Sequence, residues 1–391
     1  MTGKMIQCAM LIILAMTMGC SSPNERAAEQ REALARKAAG DIVIALVWNQ
    51  SEGETCFAQG VNMALDEING SGGIGGRKIK ALQYIGHFDE KEELRLARKV
   101  AFNPEVMAII GHWDSGAAIP ASVIYENSGL LFISPGATSS LLTSHGFHLV
   151  FRNIPSDHQT AYDLAEFVHA SGYKKVAVLD DESVYGQMFA DAFLVAVQKM
   201  DVQAKIIKSY FPWQNDFRPM LAAVKSQDVD AIFLGGQLPQ AASVISQARE
   251  LGITVPFVGG DGIDSPALWE IAGPAAEGTV VATAMDPRAE DPKLQKFMRD
   301  FQSRFGKMPD TWAAQGYDAM KLLANGFGAA KSTLPILVSS YLHYLVEWHG
   351  VTGSYSFTQR GDIVGKTLFF KVVHNDSFQY LNMDIQGGKG R

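Results

Sequence analysis

The sequence predicts an α/β protein made of two similar lobes, each a doubly wound parallel sheet. Short apolar runs alternate with amphipathic segments almost without exception from Asp41 to Ala282, the pattern of βα units joined by right-handed crossovers. Several of the runs, Val106–Ile110 and Leu130–Ile133 among them, lack polar alternation, as strands buried on both faces do. More than four such units fall on each side of Arg152, which favours two lobes over one barrel.

Taken in order, Ile42–Val47 is the first buried strand, and a helix follows from Cys56 to Asn69. The glycine-rich loop Gly70–Gly76 comes after a helix and before the strand Lys78–Tyr84. A dinucleotide fingerprint needs the reverse order, so this loop reads as a helix C-cap and tight turn. Helix Glu90–Phe102 leads to strand Val106–Ile110, which stops at Gly111; Asp114 and Ser115 stand at the N-cap of a helix reaching Asn127. Strand Leu130–Ile133 runs into Ser134–Ser140, a turn of glycine and small hydroxyl residues. After the short strand Phe147–Phe151 and a crossover at Arg152–Asp157, four more strands, Lys175–Leu179, Lys205–Ser209, Ala231–Leu234 and Pro256–Val258, alternate with helices. Strand Thr279–Ala282 closes this half. Helices at Lys293–Phe305, Trp312–Gly328 and Leu334–Trp348 precede a hairpin-like pair, Val351–Phe357 with Thr367–Val373, joined through Gln359–Asp362.

The N-terminus reads as a leader. Lys4 precedes an apolar stretch, Met5–Met18, too short to span a bilayer, and then Thr17-Met18-Gly19-Cys20. This fits a secretory signal peptide and resembles a bacterial lipobox that would place a lipid on Cys20, with Thr17 in place of the usual leucine. Residues 21–40 are charged and alanine-rich, read as a tether that is partly helical or disordered. The other cysteines are Cys8 and Cys56, so the mature body holds no disulfide and no cysteine-based metal cluster. Cys56 reads as a small buried residue. A net charge of −7 argues against nucleic acid as a partner.

The two turns Gly111–Ser115 and Ser134–Ser140 both follow strands, so both lie at the carboxyl edge of a sheet, where open α/β sheets bind ligands. Free N–H groups and hydroxyls with little bulk suit a carboxylate there. No GxSxG, HExxH or P-loop signature is present, and no catalytic residue, cofactor or metal is expected; His145 and His148 read as solvated loop residues.

The segments GHWDSGAAIPAS, ISPGATSS, DESVYG, GGDG and TWAAQGYDAM, in this order and spacing, resemble the type I periplasmic solute-binding proteins, in particular the leucine/isoleucine/valine-binding receptors of ABC importers. The resemblance covers about Asp41–Val373. It implies two lobes joined by a three-strand hinge, 41–154 plus 285–366 and 155–284 plus 367–391, with residues 1–20 as the leader. It implies no reaction: the protein would bind an amino acid between the lobes by hinge closure and hand it to permease and ATPase subunits. Its place would be outside the cytoplasmic membrane, tethered by lipid. By the same resemblance Ser115 binds the ligand carboxylate, while the carbonyl of Gly136, Ala137 and the hydroxyl and N–H of Thr138 hold the head group. Asp261 pairs with the ammonium, Tyr185 closes from the second lobe, and Trp113 and Gln237 line the site. Gln237 stands where related receptors carry an aromatic, Asp261 is one methylene shorter than their glutamate, and the loop Trp48–Glu54 departs from their pattern. The alternatives are the same fold holding an amide, urea or aromatic acid, or a sensor presenting its ligand to a signalling partner.

Overall fold

A computed structural model describes residues 22–48, 55–86 and 90–382. Elements in chain order are α1 (Pro23–Lys37), β1 (Ile42–Trp48), α2 (Phe57–Gly70), β2 (Ile79–Ile85), α3 (Glu90–Ala101), β3 (Val106–Gly111), α4 (Ser115–Asn127), β4 (Leu131–Ser134), α5 (Leu141–Ser144) and β5 (Val150–Arg152). Next come α6 (Asp157–Ala170), β6 (Lys175–Asp180), α7 (Val184–Gln198), β7 (Gln203–Ser209), α8 (Arg218–Lys225), β8 (Ala231–Gly235), α9 (Gln240–Glu250), β9 (Phe257–Gly259), α10 (Ala267–Ala272) and β10 (Val280–Thr283). The chain ends with α11 (Pro292–Phe305), α12 (Thr311–Ala330), α13 (Pro335–His343), β11 (Trp348–Gly350), β12 (Gly353–Phe357), β13 (Ile363–Val364), β14 (Phe369–Val373) and β15 (Phe378–Tyr380).

The first sheet has the order β2-β1-β3-β4-β5 and is parallel throughout. Every residue of β3 and β4 is buried because apolar layers cover both faces: Phe57, Val61 and Trp312 on one, Ala118, Tyr125 and Val100 on the other. The second sheet has the order β15-β14-β10-β9-β8-β6-β7. It is parallel from β10 to β7, and β14 and β15 are added antiparallel. It too is buried between two apolar layers, one around Phe189, Phe193 and Phe233, the other around Leu221, Ile245 and Leu268. The chain passes between the two layered units after β5, after β10 and after β13.

The loop after α2 is a turn, as its sequence order implies: the Gly73 N–H donates to Ile68 O at 2.9 Å. Gly73 has φ +73°, and a Cβ there would lie 2.0 Å from Arg77 O, so a side chain is barred twice over. Two expectations are corrected. The helix expected over Leu334–Trp348 ends at His343, and Trp348–Gly350 is a strand. The hairpin expected between Val351–Phe357 and Thr367–Val373 does not form: β12 pairs with β11 and β13, whereas β14 joins the second sheet through β10. The two runs carry similar β patterns, but Asp362 is drawn to Arg152, at 2.7 Å from Nε, which turns the chain toward the first unit before it crosses.

Residues 21–40, expected as a tether, form from Pro23 to Lys37 a helix docked on the first unit. Arg31 is fully buried and donates to Val106 O at 2.6 Å, Ala101 O at 2.7 Å, Asn103 O at 3.2 Å and Ser128 O. A buried cation flanked by Ala27 and Ala35, rather than a stripe of large apolar residues, faces the lobe, so a search for hydrophobic periodicity passes over it. Cys56 is buried at the start of α2, as expected. Cys20 and most of the loop Trp48–Glu54 lie outside the described residues. Among the described residues, no helix is long and apolar enough to cross a membrane.

Candidate functional site

The carboxyl ends of β3, β4 and β5 face those of β6, β8 and β9 across a cleft. On the first side, Asp114 caps α4 by accepting from the Ala117 N–H at 3.0 Å. The turn after β4 is braced from within. Ser134 Oγ donates to His112 O at 3.1 Å and accepts from the Ala137 N–H at 3.0 Å. It is braced from below by Arg152, fully buried, whose Nη1 donates to Thr138 O and Ser139 O, both at 2.8 Å. Ser115 Oγ, also buried, accepts the Ser139 N–H at 3.2 Å and so ties the two turns together. Gly136 packs on Trp113: a Cβ there would lie 2.8 Å from Trp113 Cα and 2.9 Å from its Cδ1.

On the second side, Ser183 caps α7 by accepting from the Gly186 N–H at 2.9 Å, which orients Tyr185 into the cleft. The Tyr185 ring stacks on Phe189, with centroids 5.5 Å apart. Its hydroxyl lies 3.4 Å from Asp261 Oδ1 and accepts from the Gly262 N–H at 3.2 Å. Asp261 opens a single helical turn directly after β9.

Thr138 and Asp261, expected to share a ligand, line one cavity with Thr160, Thr283 and Thr311. Its volume is about 10 Å³, room for scarcely one water. Gln237 sits on its lip: Nε2 donates to Asp114 Oδ2 at 3.1 Å, a hydrogen bond from one unit to the other, while its backbone N–H is held by Asp181 at 3.0 Å. The Ala137 side chain faces the apolar layer under the sheet.

Two acids dominate the electrostatics. Burial, and then the charge of Asp157, hold the Asp261 carboxyl well above the usual range. Burial pushes Asp157 up to about 7, against the opposing pull of the Thr138 hydroxyl and Arg152. Thr138 lies close enough to oppose that shift, yet no well-formed hydrogen bond reaches either Asp157 oxygen, and the Thr138 hydroxyl and the Trp113 indole N–H are likewise buried without a partner. Unpartnered donors and acceptors of this kind are rare in a folded interior. Here Trp113 and Thr138 lie on the turns after β3 and β4 and Asp157 at the start of α6; other such atoms, Asn153 Oδ1 and Gln315 Nε2 among them, lie at the crossings.

Asp157 and Arg152 escaped the sequence reading. Asp157 opens α6 directly after its Ser156 cap, where an acidic residue is ordinary, and Arg152 resembles any charge at a strand end. Trp312 also joins the site, 6.1 Å and edge-on from Trp113, with its indole N–H donating to Asp264 O at 3.2 Å.

This is the architecture of a two-lobed receptor that holds a solute between parallel sheets, and comparison with known proteins gives the same class. A family model described as periplasmic binding protein matches residues 49–375. The chain is 32% identical over 306 residues to the Leu/Ile/Val-binding protein homolog 1 of Brucella suis, covering 78% of this chain and 81% of that one. It resembles the ABC transporter substrate-binding protein from Desulfitobacterium hafniense in complex with Leu, with a TM-score of 0.79 and 31% identity, over 87% of this chain and all of that one. A similar match, TM-score 0.79 with 26% identity over 87% of this chain and 98% of the other, is the branched-chain amino acid transporter substrate binding protein LivJ from Streptococcus pneumoniae in complex with isoleucine. The chain belongs to the periplasmic binding protein family. It is an extracytoplasmic solute receptor of the type I fold, and not an enzyme.

Proposed function

We propose that the protein is the substrate-binding subunit of an ABC importer and takes an amino acid, of branched aliphatic or similar side chain, between its lobes. The observation that carries this is a set of buried groups without a hydrogen-bond partner, the Asp157 carboxyl, the Trp113 N–H and the Thr138 hydroxyl, in a cleft shared with Asp261, which the Tyr185 hydroxyl reaches at 3.4 Å. An α-amino acid zwitterion complements them. Its ammonium relieves two carboxyls that repel each other, and its carboxylate takes the donors of the Gly136–Thr138 turn. Two facing carboxyls weigh against an aromatic or aliphatic acid without an amine.

In this reading the lobes are 41–154 plus 285–366 and 155–284 plus 367 onward, and the three crossings form the hinge. Gly136 offers its carbonyl to the ammonium, and Tyr185 shuts the cleft behind Asp261. Ser115 holds the second turn by accepting the Ser139 N–H, which leaves its O–H to donate to the ligand carboxylate. Residues 1–20 are a leader, and Cys20 carries the lipid that retains the receptor at the membrane beside its permease and ATPase.

A thermal-shift panel of L-amino acids, their des-amino analogues, amides and urea tests this, since a ligand bound only by the native state raises the melting temperature. Shifts are expected with one group of amino acids and not with their des-amino analogues. Equal shifts with and without the amine would sink the zwitterion site. A ligand with no importer beside it in the genome would favour the sensor.

A further inference from the structure

We propose that α1 is a strut that holds the pole of the first lobe opposite the cleft against the membrane; this rests on the reading of Cys20 as the lipidated residue. Ser22, two residues beyond it, already caps α1. Ser22 and Glu25 form a reciprocal cap, Ser22 N–H to Glu25 Oε2 at 2.6 Å and Glu25 N–H to Ser22 Oγ at 3.2 Å, and Pro23 opens the helix. Two residues reach about 7 Å, so a lipid on Cys20 would leave the protein beside the first turn of α1, with no slack.

The strut is fixed to the lobe. Arg31 binds four carbonyls, at the start of β3, around the end of α3 and after α4. Desolvation lowers its pKa only to about 10, so it stays charged. Pulling the helix away would strand those carbonyls, and burial of unmet polar groups is costly. All four lie at the amino ends of the strands, on the edge opposite the site.

The direction of α1 follows from its neighbours. Its C-terminal part, Ala35 and Arg36, lies by Ile42, Ile74 and Arg77 near β1 and β2. Along its length, from Glu25 to Arg36, it forms one wall of a groove of about 580 Å³ whose other wall includes Leu149 and the first turn of α13. There Ile336 is 54% and Leu337 46% exposed. The groove along α1, which includes Glu25 of its first turn, thus carries two half-exposed apolar side chains on its far wall. The bilayer is the occupant that the anchor brings within reach, and apolar side chains favour its interface.

The test uses the receptor purified from membranes and placed in phosphatidylethanolamine/phosphatidylglycerol vesicles with nitroxide-labelled acyl chains. A bimane is attached at Ile336→Cys or, as the comparable pole of the second lobe, at the exposed Gln227→Cys. Quenching is expected at 336 and not at 227. It should be lost at 336 in Arg31→Met and, should that variant fold poorly, in a variant with a Gly/Ser linker of about ten residues before Ser22, a flexible spacer. Equal quenching at both positions, or quenching at 336 that survives the linker, would overturn the strut alone. An intact mass without acyl groups on Cys20 would overturn the lipid reading, and the strut with it.

Discussion

The hinge and the cleft both bury charge, and they treat it in opposite ways. At the hinge, Lys366 lies fully buried on the third crossing, and each of its protons has an acceptor: Asn153 O on the first crossing, Gln315 Oε1 and Thr352 Oγ1, all at 2.8 Å. Its counter-charge, Asp318, accepts from the Val351 and Thr352 N–H groups at 2.8 Å and from the Thr352 hydroxyl at 2.5 Å. In the cleft, Asp157 and Asp261 repel each other; Arg152 offsets the burial of Asp157 only in part, and the Tyr185 hydroxyl reaches Asp261 at 3.4 Å. A satisfied buried charge specifies a fold; an unsatisfied one in the same molecule marks where something else is meant to sit.

The contrast breaks most visibly under two substitutions. Lys366→Met leaves Asp318 buried without its cation, which should cost about 3–5 kcal/mol and lower the unfolding midpoint sharply. A midpoint unchanged from wild type would mean that the hinge charge is idle. Asp261→Ala removes a charge that the empty fold does not use. The midpoint should hold or rise, while amino-acid affinity by calorimetry falls roughly a hundredfold, about 3 kcal/mol. A loss of stability without loss of affinity would assign Asp261 to the fold instead.

Asp157→Asn sharpens the comparison through pH. The Asp157 pKa of about 7 in the unliganded fold lies above its unfolded value of about 3.9, so the native state holds the extra proton. The stability this gives is fully present below the unfolded pKa and lost as pH rises through about 7. Unliganded wild type should therefore gain stability relative to Asp157→Asn as pH falls from about 7 to 4. Amino-acid binding, which favours the ionised acid, should weaken over the same interval, and Asn should flatten that dependence at a cost of about tenfold in affinity at neutral pH. Parallel pH profiles for the two proteins would remove Asp157 from the site.

What was legible in the sequence follows the same division. Strands buried on both faces announce themselves by composition, and the turns after β3, β4 and β9 by glycine and hydroxyl residues at strand ends, so the α/β class and the turns at the sheet edges were readable. Arg31 and Arg152 were not, because each works through backbone carbonyls that are distant in sequence, and no local pattern records such a contact. The missed pairing of β14 has a similar cause: Val351–Phe357 and Thr367–Val373 are equally good strands by pattern, and their partners β11, β13 and β10 are fixed by contacts distant in sequence, the Arg152–Asp362 pair among them.

The smallest expected effect concerns Gln237, which the family resemblance places in the ligand pocket and the structure places on Asp114. Both groups are partly exposed, so one hydrogen bond across the lip should contribute about 1 kcal/mol to the closed state. Gln237→Ala should then raise koff roughly fivefold with kon unchanged, since closure follows encounter. The informative comparison uses two ligands that differ only in side chain. A latch between the lobes acts on every ligand alike, so both should lose the same factor. Asp114→Asn, which keeps an oxygen to cap α4 but weakens the acceptor for Gln237, should reproduce the loss and add nothing to it in the double variant. Losses that differ between the two ligands would return Gln237 to the pocket wall, where its amide would meet the ligand side chain directly.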